Sequence, residues 1–298
     1  MRRIIAALIL TLALASPAAA TLSNLDEFNA GDAWTASDAN AFVDWIRFAY
    51  DIRDLRASNH PVNINSIEVT ADIVRLTNPS GESAIYQNFS KSFSINWSGA
   101  PNRLDVGSKT ANTWYAIWAI GKVAKAGDSL LSDVALLGST SFTSPSLPSG
   151  WTYKRLVSAV LTDDSANAIR FNQFDNSYRF SKLLSVVAAF VQTSSVSRTS
   201  LDLSSQIPPV SEEVTLYAYL RGVANHHTLH IFAGSATSTA SVYIQANAPG
   251  TGELDSITLY APIACPGQSI DYATYYGGTG NYDYTISVSG FLMPLYTE

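Results

Sequence analysis

The sequence predicts a mainly β protein, an antiparallel β-sandwich or jelly-roll-like fold, with a short N-terminal α-helix behind a secretory leader. Three observations carry that expectation. Of 298 residues, 47% are hydrophobic and 14% charged, enough apolar surface for a core and too little charge for a disordered chain. Tyr (15), Phe (12) and Trp (6) together outnumber the 18 Lys and Arg, a balance suited to half-buried strands. Short apolar or alternating runs recur between Gly-, Pro-, Asn- and Ser-bearing turns, with no fixed period of the kind a solenoid or propeller repeats.

The leader is read from Arg2 and Arg3, the apolar run from Ile4 to Ala15, Pro17, and Ala18-Ala19-Ala20, which together match a signal peptide over residues 1–20 cut after Ala20. The run is shorter than the roughly 20 apolar residues a membrane span needs, and no later segment reaches that length. An uncleaved apolar helix buried in an assembly is the alternative. Without residues 1–20, 16 basic side chains face 24 acidic ones, so the exported chain carries about −8. No basic excess is left to neutralise phosphates, and nucleic acid is excluded as a partner class.

Residues 21–61 read as a helical stalk segment. Thr35 can cap a helix over about Ala36 to Arg56, with Asp38 at the positive end of its dipole. Phe42, Trp45, Ala49 and Ile52 follow at spacings of three, four and three, a narrow stripe widened by Ile46. Such a stripe either packs on its own domain or joins copies of the chain, in which case the protein is a homo-oligomer, with a trimer among the candidate states. Asn59-His60-Pro61 ends the helix, because proline disfavours the α conformation in the residue before it.

Residues 62–191 are expected to form a β-sandwich domain. Its signals are the alternation from Ile64 to Val69, the turn Asn78-Pro79-Ser80-Gly81, and TWYAIWAI (Thr113–Ile120), apolar on both faces and so buried on both sides. Ser139 to Gly150 reads as a surface loop, and strands resume over Tyr153–Leu161, Ile169–Phe180 and Leu183–Val191, with a turn at Asp163-Asp164-Ser165. The Ser/Thr-rich stretch from Gln192 to Pro209 reads as a linker or a sheet-to-sheet crossing. It opens a second β region over 192–298, either separate or part of the same sandwich, with strands near Val214–Leu220, Thr228–Phe232, Ser241–Ala246, Ile257–Tyr260 and Tyr282–Val288. The single cysteine, Cys265, rules out an intramolecular disulfide and, with no neighbouring base in sequence, reads as a buried structural thiol. The matches Asn88-Phe89-Ser90 and Asn96-Trp97-Ser98 bear on modification only in a glycosylating host.

Two blocks resemble a family. FNAGDAWTASDANAF (Phe28–Phe42) resembles the F-x-A-G…T-A-x-x-x-N segment near the start of phage tail-fibre and prophage structural proteins. PSLPSGWTYKRLVSAVLTDDSANAI (Pro145–Ile169) is similar to the P-x-L-P-S-G-Y-T-Y-K-R…T-D-x-S-G block of tail-fibre-like proteins, departing from it at Trp151 and at Ala166-Asn167, where glycine is expected. The Ile207-Pro208-Pro209 step also resembles the family's second half. The resemblance covers about half the chain and implies a β-structured, often oligomeric virion or prophage component of unassigned activity. No catalytic residue is carried over. A signal peptide fits poorly with a particle assembled in the cytoplasm, so the expected location is exported, periplasmic or extracellular, or else virion-associated.

Candidate chemistry is sparse. Gly127-Asp128-Ser129-Leu130 resembles the nucleophile block of GDSL esterases, and a secreted hydrolase using Ser129 is the rival reading. That serine needs a base in a late D-x-x-H motif, which none of His60, His226, His227 and His230 supplies. In an extended strand His226 and His230 lie about 13 Å apart on one face with His227 on the other, so a metal set would need a loop there or copies of the chain meeting on a symmetry axis. Asp163, Asp164 and Asp175 could pair as carboxylates, although adjacent aspartates in T-D-D-S are more often turn formers. The sequence implies no cofactor, no metal and no catalytic residue. The best binding surface is the tyrosine-rich stretch Tyr272, Tyr275, Tyr276 and Tyr282, with Tyr284 beside it and Gly277, Gly278 and Gly280 between, because aromatic faces stack on sugar rings. A cell-surface glycan is the expected ligand. The chain is read as a non-enzymatic structural or adhesion protein, with a monomeric carbohydrate-binding module as a further alternative.

Overall fold

Alternating burial in β3 and near-continuous burial in β6 and β8 mark the strands of the computed structural model, which describes residues 52–96, 101–123, 131–223, 225–233, 242–248, 254–276 and 281–294. The described residues belong to one unit, Ile52–Glu298. They build a mainly β chain with two sheets in which every pairing but one is antiparallel. No helix among them is long and apolar enough to cross a membrane. The leader, the stripe residues Phe42, Trp45 and Ala49, and most of the expected stalk lie outside the described residues.

At its described end the expected helix is replaced by strand. Ile52–Arg53 forms β1 and Arg56–Asn59 forms β2, both paired with β3 (Ser66–Thr77). Ile52 is buried opposite Val74, so it serves the core and not an oligomerisation stripe. The physical reason is non-local. The Leu55 amide donates to Asp175 Oδ1 at 3.0 Å and the Asp175 amide to the Leu55 carbonyl at 2.8 Å, so a ladder 120 residues distant overrides the local helical rhythm.

The large sheet gathers β3 with β4 (Ser83–Ser94) on one side and β1 and β2 on the other. It runs through β9 (Phe171–Phe174) and β10 (Ser177–Gln192) to β17 (Tyr282–Leu292), β12 (Glu213–Val223) and β15 (Leu254–Ala264). At Thr77 it also joins β8 (Tyr153–Leu161), which leads to β6 (Trp114–Val123), β7 (Leu131–Ser139) and the parallel β5 (Arg103–Leu104). The sheet folds back on itself, so that β7 packs over β4. Gly138 makes this approach possible, since a Cβ there would collide with the Phe93 ring. Pro262 lies in β15 opposite Thr215. Lacking an N–H, it fits only where its nitrogen points away from β12.

TWYAIWAI becomes β6 and is buried on both faces. One face, with Tyr115, Ile117 and Ala119, joins the main core. The other face, with Ala116, Trp118 and Ile120, is covered by Phe142 and Leu147 from the segment read as a surface loop and by Trp151 just after it. That segment is a strap. Trp118 Nε1 donates to the Ser141 carbonyl at 3.1 Å, Lys154 Nζ to the Thr143 carbonyl at 2.8 Å, and the Ser146 amide to Asp105 Oδ2 at 3.0 Å.

The smaller sheet is β11 (Val196–Asp202), β16 (Ser269–Tyr276), β13 (Asn225–Ala233) and β14 (Val242–Ala248), in that order. The chain enters it directly after β10, at the polar stretch 193–195. One continuous apolar cluster includes residues of both sheets, such as Leu229, Ile231 and Ile270 beside Leu216, Ile286 and Val288.

Where β9, β10, β17 and β6 meet, aromatic rings close the core. Tyr178 is stacked between Phe171 at 4.5 Å and Phe291 at 4.3 Å, with Trp114 and Phe180 edge-on to it. Such pairs contribute about 0.5–1.5 kcal/mol each beyond area burial. The Tyr178 hydroxyl is buried without a hydrogen-bond partner among the described residues, and burial pushes its ionisation well above the ordinary tyrosine range. Tyr178→Phe therefore removes an unsatisfied polar atom while keeping the ring, and is expected to raise the urea midpoint, by about 1 kcal/mol of stability. An unchanged or lower midpoint would show that the hydroxyl is satisfied.

At the Asp163 turn, Ala166 sits at φ 58°, the left-handed conformation that costs a residue with a Cβ about 1–2 kcal/mol. Ala166→Gly is expected to stabilise the fold by about 0.5–1 kcal/mol, less than the full strain because glycine also frees the unfolded chain. Paired urea melts of the two proteins measure it.

Candidate aromatic binding face

The four-stranded sheet has two chemically distinct faces. Toward the large sheet, β13 turns His227, Leu229 and Ile231, β16 turns Ile270, Tyr272 and Thr274, and β14 turns Ile244 and Ala246, all buried. Toward solvent it turns Thr228, His230, Tyr243, Gln245 and Tyr275, as the two-residue period of a strand requires.

Cross-strand register then gathers the outward side chains. His230 lies opposite Tyr243 on one side and Ala273 on the other, while Thr228 lies opposite Gln245 and Tyr275. The His230 ring is 4.7 Å from that of Tyr275, edge-on, and 5.8 Å from that of Tyr243, nearly parallel, with Phe232 at 6.3 Å. Tyr243 and Tyr275 are 64% and 54% exposed, which leaves their ring faces free to meet another flat surface. Thr228 Oγ1 sits 3.2 Å from His230 Nε2 and fixes the imidazole. At one margin the Arg198 guanidinium covers Phe232 at 4.2 Å and pairs with Asp271 at 2.9 Å. The result is a patch of rings edged by hydroxyl, amide and a neutralised ion pair, suited to stacking and hydrogen bonding.

Of the four tyrosines singled out in the sequence, the structure brings only Tyr275 to this surface. Tyr272 and Tyr282 are buried between the sheets, and Tyr276 is half-buried and stacked on His227 at 5.3 Å. These rings form a polar inter-sheet layer. The Tyr282 hydroxyl donates to the Ser194 carbonyl at 2.7 Å and lies 2.7 Å from Thr274 Oγ1, which accepts the Val196 amide at 3.0 Å. The Tyr272 and Tyr284 hydroxyls are 3.3 Å apart. Burial, then the neighbouring tyrosines, pushes Tyr284 well above its usual range, and burial also raises Tyr282. His230 and Tyr243, absent from the sequence-based set, join Tyr275 through strand pairing. The alternations in His227–Phe232 and Val242–Ala246 held the facing information, but not the register.

The other candidates are dispersed. Ser129 and Gly277–Gly280 lie outside the described residues, as does the side chain of His226. His227 faces inward and His230 outward. Asp163 Oδ1 accepts the amides of Ser165 and Asn167, Asp164 accepts from Asn112, and Asp175 holds Leu55, so each carboxylate is committed to a different contact. Cys265 is buried, and burial followed by Glu213 pushes its thiol up to about 11, which suits an inert structural role.

No family model matches the chain, and no curated protein sequence matches it. Among solved structures, a Bacillus endospore appendage from a novel family of disulfide-linked pili is similar over 38% of this chain and 81% of its own, at 13% identity and a TM-score of 0.18. A tryptic core variant of Cry1Da from Bacillus thuringiensis is similar over 80% of this chain and 51% of that one, at 9% identity and a TM-score of 0.25. Infectious bursal disease virus, Gx strain, follows with 80% of this chain and 67% of that one, 11% identity and a TM-score of 0.22. The chain thus spans about half the length of the toxin core it matches. Scores this low carry no argument about fold or function.

Partial burial lowers the His230 ionisation below its ordinary 6.5. A base with a depressed folded value binds its proton more readily when unfolded, so His230 supports stability above 6.5 and loses that support as pH falls toward its folded value. The expected outcome is an NMR titration midpoint below 6.5 for His230 and a weaker pH-dependence of urea stability in His230→Gln over that window.

Proposed function

We propose that this protein is a non-enzymatic recognition protein of structural or adhesive type, similar in role to phage tail-fibre-like proteins, whose smaller sheet presents an aromatic face to a cell-surface glycan. Its two sheets, with a shared apolar cluster, support a sandwich arrangement in which one outward face is left for binding. Self-association and an exported or virion-associated location belong to the same reading. The observation that carries it is the grouping of Tyr243, His230 and Tyr275, with two rings more than half exposed although nothing in folding requires it. Sugar rings offer apolar C–H faces to such platforms and hydroxyls to Thr228 and Gln245 at their margins.

A glycan array probed with the fluorescently labelled protein, followed by titration with the best ligand, tests the proposal. Tyr243→Ala combined with Tyr275→Ala is expected to weaken binding about tenfold or more, at about 0.5–1.5 kcal/mol per stacking ring. Both side chains are exposed, so the thermal midpoint should stay within error. Unchanged affinity of the double variant for an array-selected glycan that shifts the amides of β13, β14 or β16, or an array with no bound glycan, would overturn the assignment.

A further inference from the structure

Strand β3 is hydrogen-bonded on both sides, yet both ladders open at the same level. Thr70 pairs with Arg56 and Ile73 with Arg53, while Asp54 and Leu55 between them are unpaired although the register is kept. Across β3, Ala71 pairs with Phe89 and Ile73 with Gln87, but Asp72 has no registered partner. Two causes are visible. Asp175 holds Leu55 by accepting its amide at Oδ1 and donating its own amide to the Leu55 carbonyl, and Asp54 and Asn88 both adopt left-handed backbone at φ 53°. Left-handed residues within strands are costly and collect at ligand-binding sites.

The opening is a cleft of about 420 Å³ lined by Asp54, Arg56, Thr70, Asp72, Asn88 and Ser90. Arg53 holds Asp72 at 2.9 Å and Asp54 at 3.6 Å, fixing both carboxylates. Arg56 stacks at 5.3 Å on Phe174, whose ring is 51% exposed. Among the described residues, no hydrogen bond engages the Arg56 guanidinium, the Asn88 amide, or the Thr70 and Ser90 hydroxyls. The cleft therefore offers fixed acceptors, free donors and two hydroxyls that serve as either, with the Phe174 ring beside it against Arg56.

We propose that this gap in the ladder binds a neutral pyranose sugar. A pyranose carries a rim of hydroxyls that both donate and accept, and one apolar face for a ring such as Phe174. Two arginines and two aspartates leave the cleft without net charge, which favours a neutral sugar over an anionic one. The volume sits toward the small end of ligand sites, about 300–1,000 Å³. The site is built from the large sheet, so it does not rest on the aromatic face described above.

The test is an NMR titration of the isotope-labelled protein with methyl α-D-mannopyranoside, methyl α-D-glucopyranoside and methyl β-D-galactopyranoside, with N-acetylneuraminic acid as charged comparator. At least one neutral glycoside is expected to shift the amides of Thr70, Asp72 and Ser90 with millimolar affinity. Asn88→Gly, which keeps the left-handed backbone, and Phe174→Ser should each weaken it about tenfold while amide shifts remote from the cleft stay as in the native protein. The Tyr243→Ala, Tyr275→Ala protein should bind the glycoside as the native protein does. Absence of those shifts with all three glycosides, tighter binding of the charged sugar, unaltered affinity in both cleft variants, or loss of binding in the tyrosine variant instead would overturn the assignment. The first three outcomes leave the aromatic face untouched.

Discussion

The pairing of β10 with β17 is the constraint on which the rest of the structure depends. One ladder runs from Ser177 opposite Leu292 to Gln192 opposite Tyr282, and its two ends enter different surroundings. At one end Tyr178 and Phe291 stack within the aromatic cluster that also holds Phe171 and Trp114. At the other, Tyr284 and Tyr282 face the smaller sheet. Neither region can unfold without disturbing a strand that belongs to the other, so residues on both sides of the 193–195 crossing are expected to melt together. Three register shifts along the ladder, the first between Arg179 and Leu184, bend the strands, and Leu183 and Phe190 of β10 stay exposed.

The smaller sheet is held by more than apolar contact. Tyr282, Thr274, Val196 and Ser194 form a hydrogen-bonded chain from β17 through β16 to the crossing segment. Hydrophobic packing has little directional preference, whereas a buried hydroxyl pulled off its acceptor costs about 1–3 kcal/mol. The layer therefore sets the alignment of β16 and β13 against the large sheet. On their opposite face the same strands carry Tyr275 and His230, so buried tyrosines fix the lattice on which exposed ones are displayed.

Much of the β content was legible in the sequence because it is written locally. TWYAIWAI announced a strand buried on both faces, and the Asp163 turn was readable from its carboxylates. What covers β6 was not readable, since Phe142, Leu147 and Trp151 follow no period and sit among serines, threonines and prolines. The helix expected to end at Arg56 failed at Ile52 because Leu55 and Asp175 are far apart in sequence. The candidate site failed in the same way. Composition pointed to tyrosines, but only register distinguishes Tyr275, beside His230 and Tyr243, from Tyr272 and Tyr282 in the interior. The cleft around Asp72 depends on two ladders opening at one level, information absent from either strand taken separately.

Pro262 has a consequence for how copies of this chain can meet. β15 is the outermost strand of the large sheet, and its free margin is where a neighbouring backbone would otherwise add on. With the proline nitrogen turned outward, that margin lacks a donor near the C-terminal end of the strand, and a docking strand would leave a carbonyl unsatisfied there. Backbone pairing along this border is interrupted at that position, and a copy meeting it there would depend on side-chain contacts.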